Sequence, residues 1–174
     1  MEPKPPLRKW LLLLSLLLQS LQGISQVCDA PELRLRYAAL YKSVDAYKPN
    51  YALSLADSLL EQLNDLSLAD CPLQGWIRFE KGEAFEHLWQ YEDALQIYYP
   101  LVQEALAAKR WKLAAQTYIS MARTHETIER SDDCRRSLQA AWELINQHKL
   151  DTVFARYAVR NASYHRWYAD RDSA

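Results

Sequence analysis

Glycine is nearly absent: the 174-residue chain holds three, Gly23, Gly75 and Gly82. That excludes the glycine-rich phosphate loops of nucleotide-binding folds, which need several glycines within a few residues. No serine lies in a nucleophile-elbow pattern. His125-Glu126 has no second histidine four residues after the first, so the helical zinc-protease pattern is missing as well. The four histidines, His87, His125, His148 and His165, are scattered. His125 and His165 fall in phase with Phe85, which predicts packing between helices rather than catalysis. Cys28, Cys71 and Cys134 have no zinc-ligand spacing. There is no basic block, and 21 Lys+Arg stand against 22 Asp+Glu. The chain therefore lacks the electrostatic footprint of a nucleic-acid partner. Nothing beyond residue 26 is apolar for long enough to cross a bilayer. Carboxylates such as Glu83 and Glu86 share one helix face, where a solvated or partner-facing surface is expected. No constellation supports an enzyme, and no cofactor or metal is implied.

What is present is helix. Valines are few, while Ala, Leu, Glu and Gln abound, a composition that favours helices throughout. The chain is organised around Gly82–Leu101, G-E-A-F-E-H-L-W-Q-Y-E-D-A-L-Q-I-Y-Y-P-L. Gly82, Phe85 and Leu88 form one helical stripe, and Tyr91, Ala94, Tyr98 and Leu101 form a second beyond a turn near Gln90-Tyr91. Small Gly82 and Ala94 allow close approach of the two backbones, with Phe85 and Tyr98 filling the space beside them. The pattern recurs. Leu40, Gly82, Ala122 and Ala162 stand at equivalent points of the first helix, about 40 residues apart, and Ala52, Ala94, Cys134 and Ala174 at equivalent points of the second. Leu59, Leu101 and Ala141 keep the phase, as do Leu63, Ala105 and Ile145. The predicted core includes Leu40, Gly82, Phe85, Ala94, Tyr98, Leu101, Ala122, Cys134 and Leu138.

This hairpin resembles the tetratricopeptide repeat, with small residues and aromatics at matching spacing. The resemblance implies an all-α fold, a right-handed superhelical array of antiparallel helical hairpins that binds protein or peptide. The period of about 40 exceeds the usual value of about 34, so other helical repeats of similar length stay open.

Residues 1–25 read as a secretory signal peptide. Lys4, Arg8 and Lys9 are followed by an apolar run from Trp10 to Leu18, with Gly23 and Ser25 before a cleavage point at Gln26. The alternative is an uncleaved membrane anchor. Those residues carry three cations and one acid, so their removal takes the formal charge from −1 to −3. Residues 26–174 then form one repeat domain, placed in the periplasm or secreted. An exported chain that begins at Gln and leads into such repeats resembles Bacteroidetes-type periplasmic proteins. The hairpins are expected at about 29–68, 70–109 and 111–149, with an incomplete fourth over 151–174. Asp29, Asn50 and Ser131-Asp132-Asp133 are the expected helix caps, Asp70-Cys71-Pro72 starts the second hairpin, and Asp151 opens the last helix. Pro100 falls inside a helix, which is expected to kink there and continue to Ala108. Ala169-Asp170-Arg171-Asp172 reads as a turn whose partner helix is missing, the sign of a truncated chain. An unpaired last helix would leave Ala155, Ala158, Ala162 and His165 exposed and favour self-association.

Cys28 and Cys71 flank the first hairpin at the same end, so they either form a disulfide or remain as two reduced thiols. Cys134, at a small-residue position, is expected to be a buried, inert thiol. In stacked hairpins the first helices line the inside of the curve. One turn from the packing stripe, that face carries Arg34, Tyr37, Tyr41, Trp76, Phe79, Glu83 and Glu86. It continues with Gln116, Ile119, Arg123, Glu126, Arg156 and Arg166. Tyr, Trp and Arg most often dominate interface energies, so this is the candidate binding face. Trp76 and Phe79 have a second reading, as packing between hairpins. The leading functional reading is a non-enzymatic, exported binding module. The alternative is the periplasmic sensing region of a membrane-bound signalling protein, with a histidine kinase or helix-turn-helix output part missing. A membrane is involved only if the signal segment is uncleaved or a span follows.

Overall fold

The computed structural model describes residues 28, 30–66, 68 and 71–168. The expected signal segment, the cap expected at Asp29, Asp70 of the expected start of the second hairpin, the turn expected at 169–172 and the phase position Ala174 lie outside the described residues. Among those described there are seven helices and no strand. They are α1 (Pro31–Asp45), α2 (Pro49–Asp65), α3 (Pro72–His87), α4 (Tyr91–Ala107), α5 (Trp111–Thr127), α6 (Ser131–His148) and α7 (Asp151–Tyr168). The protein is an all-α array of helical hairpins. α1 packs on α3, α3 on α5 and α5 on α7, so the first helices of the hairpins form one continuous layer. Helices α2, α4 and α6 each pack on the two inner helices before and after them and form a second layer.

The turns explain the regularity. Tyr47, Trp89, Lys109, Glu129 and Lys149 all have left-handed backbone, with φ between 52° and 63°. The last four recur every 20 residues. At the end of α3, Gln90 N–H donates to the Phe85 carbonyl and Trp89 N–H to the Glu86 carbonyl, both at 3.0 Å. The ends of α1, α4 and α5 repeat this pair of bonds. Carbonyls that a helix end would leave orphaned are thus satisfied, and the chain is redirected within three residues. Because the turn already fixes the entry into the next helix, side-chain caps are dispensable. That corrects two expectations. The residue before α2 is Lys48, and Asn50 sits inside the first turn, because Pro49 suits the first helical position. The residue before α6 is Arg130, with no side-chain cap bond, and Asp132 and Asp133 pair instead with Arg135 and Arg136 three residues on.

Pro100 lies within α4, which runs unbroken to Ala107. Pro100 and Gln96, whose carbonyl loses its partner, are both exposed, so water can satisfy the orphan. The core holds Leu40, Ala94, Tyr98, Leu101, Ala122, Cys134 and Leu138, all buried, while Phe85 is half-buried against the main cluster. Gly82 faces the Tyr98 ring so closely that an added Cβ would come within 2.7 Å of Cζ. Cys28 and Cys71 form a disulfide with their Cα atoms 5.7 Å apart, and Cys134 is a buried free thiol. Burial pushes the Cys134 thiol up to about 12, so it stays protonated.

His125 is buried, with Tyr99 Oη 3.3 Å from its Nε2, but His165 is exposed on α7. The shared phase placed both on one stripe, yet no described helix follows α7 to cover His165. Ala155 and Ala162 are exposed on the same helix and Ala158 is half-buried.

Candidate functional site

Three glutamates stand three residues apart on α3, Glu80, Glu83 and Glu86, interleaved with buried Phe79, Gly82 and Ala84. The helical drift over three residues fans them toward the other inner helices rather than into water. Glu83 and Glu86 are each 7% exposed, which corrects the expected solvated face. Burial of such groups is tolerated only with paired charges and filled hydrogen bonds, and both are present.

Arg123 of α5 lies between the two. Its Nε donates to Glu86 Oε2 at 2.5 Å, and its Nη2 is 2.8 Å from Glu83 Oε1, a charge contact rather than an aligned hydrogen bond. Arg156 of α7 donates to Glu83 Oε1 at 2.7 Å, and its guanidinium lies 5.5 Å from the centre of the Phe79 ring. Ser120 Oγ donates to the same Glu83 oxygen at 2.5 Å, and Tyr98 Oη donates to Glu86 Oε1 at 2.8 Å. Burial works against the Glu83 charge, but Arg123 and Arg156 outweigh it and hold the carboxyl below its usual range. For Glu86 burial prevails over Arg123, with the Glu83 charge adding to it, and the carboxyl is raised. Arg123 is held more firmly protonated than usual, since Glu83 and Glu86 overcome its own burial.

Glu80 differs from its two neighbours. It is 5% exposed and has no ion pair among the described residues; its one hydrogen bond comes from Tyr37 Oη at 3.4 Å. Burial first, and then the Glu83 charge, push its carboxyl up to about 7. Near neutral pH it therefore exchanges between acid and carboxylate.

A cavity of about 300 Å³ opens beside this cluster and is lined from all four inner helices. Tyr41, Phe79, Glu83, Arg123 and Arg156 of the expected face line it, together with Val44, Asp45, Tyr47, Glu80 and His87. A neighbouring cavity of about 230 Å³ shares Arg123 and Arg156 with it and adds Ile119, Ser120, Val159 and Arg160. A third, of about 410 Å³, shares Arg160 and is lined by Glu126, Ser163, Trp167 and Tyr168 among others. There Arg160 pairs with Glu126, and Ser163 Oγ donates to Glu126 Oε1 at 2.7 Å.

Other expected residues sit elsewhere. Phe79 and Ile119 belong to the core, although each also touches a cavity. Trp76 is half-buried, edge-on to Phe79 with ring centres 5.9 Å apart. Tyr37 and Gln116 are half-buried, whereas Arg34 and Arg166 are exposed away from the three cavities. Glu86 is held behind the cavity wall by Arg123 and Tyr98. Sequence reasoning missed Glu80, Asp45, Tyr47, Ser120 and Arg160. The three-residue spacing of the glutamates in an otherwise apolar helix was a signal for Glu80. Nothing comparable marks Ser120 or Arg160, whose partners are 34 to 37 residues away.

Among the described residues no His, Cys, Asp and Glu side chains converge in a group that could hold a metal ion. Comparison with protein-family models, curated proteins and solved structures finds no match.

Proposed function

We propose that this chain is a non-enzymatic scaffold of tetratricopeptide-like hairpins, exported from the cytoplasm, that binds a protein or peptide along its inner helices. The observation that carries the reading is the run of three cavities, linked through shared Arg123, Arg156 and Arg160. An extended partner needs such a row of sites rather than one deep pocket. Arg123, Arg156, Arg160, Glu83 and Glu126 along the row are already fixed by ion pairs, which lowers the ordering cost of binding. Tyr41 and Tyr47, at 55% and 77% exposed, offer aromatic contact at one end. The Cys28–Cys71 disulfide supports an oxidising compartment, in keeping with the signal-like start of the chain.

The test is selection from a displayed library of random peptides, followed by photocrosslinking from one of two positions. A crosslinker at Tyr41 samples the inner layer, and one at Tyr51, exposed on α2, samples the outer. Selected peptides should be captured from Tyr41 and not from Tyr51. Capture from Tyr51 alone, or failure of any peptide to enrich, would contradict the proposal.

A further inference from the structure

The first cavity has an unbalanced set of charges. Arg123 and Arg156 line it, but both are engaged by Glu83 and Glu86. Asp45 and Glu80 line it too, and neither has an ion pair among the described residues. Glu80 is the more telling of the two, because it is 5% exposed with only the long Tyr37 bond to it. A carboxylate that lines a cavity, is attracted by Arg156 and yet is not paired with it is a counter-charge short of a cation. Tyr41 and Tyr47 stand on the same wall, both exposed; Tyr47 stacks one ring face on His87, with ring centres 4.5 Å apart, which leaves its other face and the Tyr41 ring to attract a cation. His87 does not supply the missing charge: burial, above all, lowers its pKa and favours the neutral ring. The volume of about 300 Å³ is at the low end for ligand sites and suits one side chain rather than a cofactor.

We infer that this cavity takes a cationic side chain, a lysine or arginine of the bound peptide, with Asp45 and Glu80 as its counter-charges and Tyr41 and Tyr47 beside it. The inference rests on the groove reading and specifies it. An anionic group would meet Asp45 and Glu80 in a cavity whose arginines are already occupied.

Binding of a cation is coupled to the proton on Glu80. The groups facing Glu80 are Tyr37 and Asp45 from α1, Glu83 and His87 from its own helix, Arg123 from α5 and Arg156 from α7. The charged groups that α2 and α4 bring to α3 are used elsewhere: Asp57 pairs with Lys81, and Glu104 with Arg78. Because the Glu80 carboxyl sits at about 7, affinity for a cation should rise about tenfold from about pH 6 to about pH 8.

The experiment uses the purified full chain, isotopically labelled, and four pools of random octapeptides with the central residue fixed as Lys, Arg, Glu or Ser. Amide shifts are followed by NMR. The Lys and Arg pools should move the amides of Tyr41, Asp45 and Glu80 saturably, with affinity about fivefold or more above the Ser pool. Glu80→Gln should abolish both that preference and the pH dependence, and Asp45→Asn should weaken the preference while leaving the fold unaltered. Pools that bind the inner helices equally, whatever their central residue, overturn the cation inference and leave the groove reading standing. Pools that move no inner-helix amide overturn both. A Glu80→Gln protein that keeps its preference for Lys and Arg overturns the inference on its own.

Discussion

Replacing Gly82 with alanine would ordinarily stabilise a helix interior, by about 1 kcal/mol from propensity alone. Here the opposite is expected. The added Cβ would stand 2.7 Å from Cζ and 3.0 Å from Cδ1 of Tyr98, closer than carbon atoms can pack. Tyr98 is fully buried, so its ring has nowhere to retreat. Its hydroxyl is also tied to Glu86 at 2.8 Å, so a displaced ring gives up a hydrogen bond to a buried carboxylate. Overpacking costs about 1–3 kcal/mol, and a bond to a charged group contributes about 1.5–3 kcal/mol. Set against the propensity gain, the net loss is about 1.5–5 kcal/mol. For a domain of this size that corresponds to a fall in Tm of about 3–5 °C per kcal/mol. Urea unfolding followed by circular dichroism measures it. A Gly82→Ala, Tyr98→Leu double variant removes the clash, and its loss should fall short of the sum of the single losses by about 1 kcal/mol or more. A Gly82→Ala protein as stable as the parent would refute the packing of α3 against α4.

Three further outcomes follow from the charged cluster and the disulfide. Between an ordinary 4.5 and its folded value of about 7, Glu80 keeps a proton that the unfolded chain has released. Its contribution to stability therefore falls as pH rises through that window, by about 3 kcal/mol in all. Glu80→Gln should match the parent below about pH 4 and exceed it by about that amount above about pH 8, as urea titrations across pH would record. Arg123→Met strips Glu86 of the one ion pair it has among the described residues and should cost about 3–5 kcal/mol; the lower end is expected, because Arg156 still serves Glu83. The same denaturation assay measures this loss. Cys71→Ser opens a loop between cysteines 43 residues apart and should cost about 4 kcal/mol. Reductant should lower the parent by a similar amount in thermal melts and leave the variant unmoved.

The hairpins were legible because helix periodicity and repeat phase act locally. Leu40, Gly82, Ala122 and Cys134 mark the packing stripes in the sequence and are buried in the fold. α7 shows the limit of that signal. Ala162 and His165 keep the phase but lie exposed, since phase marks a position in a helix and not whether a neighbour covers it. The caps were misread for a related reason: each turn is set by one left-handed residue and its backbone bonds, and Trp89, Lys109 or Glu129 gives no compositional sign of that role. In the site, Tyr41, Phe79, Glu83, Arg123 and Arg156 were found by their place on the first helices, and they do meet around one cavity. The burial of Glu83 was not legible, because its counter-charges come from Arg123 and Arg156, on helices two and four elements further along the chain.

The central claim is that the inner face binds a partner through residues the fold does not need. Tyr41 separates the two roles best, being 55% exposed and lining the first cavity. Exposed substitutions of this kind shift stability by no more than about 0.5 kcal/mol, whereas loss of an aromatic anchor costs about 2 kcal/mol of binding energy. The measurement is the affinity of a library-selected peptide for the parent and for Tyr41→Ala, with a thermal melt of each. The account predicts affinity reduced about tenfold or more and a Tm unchanged within about 2 °C. Unchanged affinity, or a loss of affinity that merely follows a collapse in Tm, would contradict it.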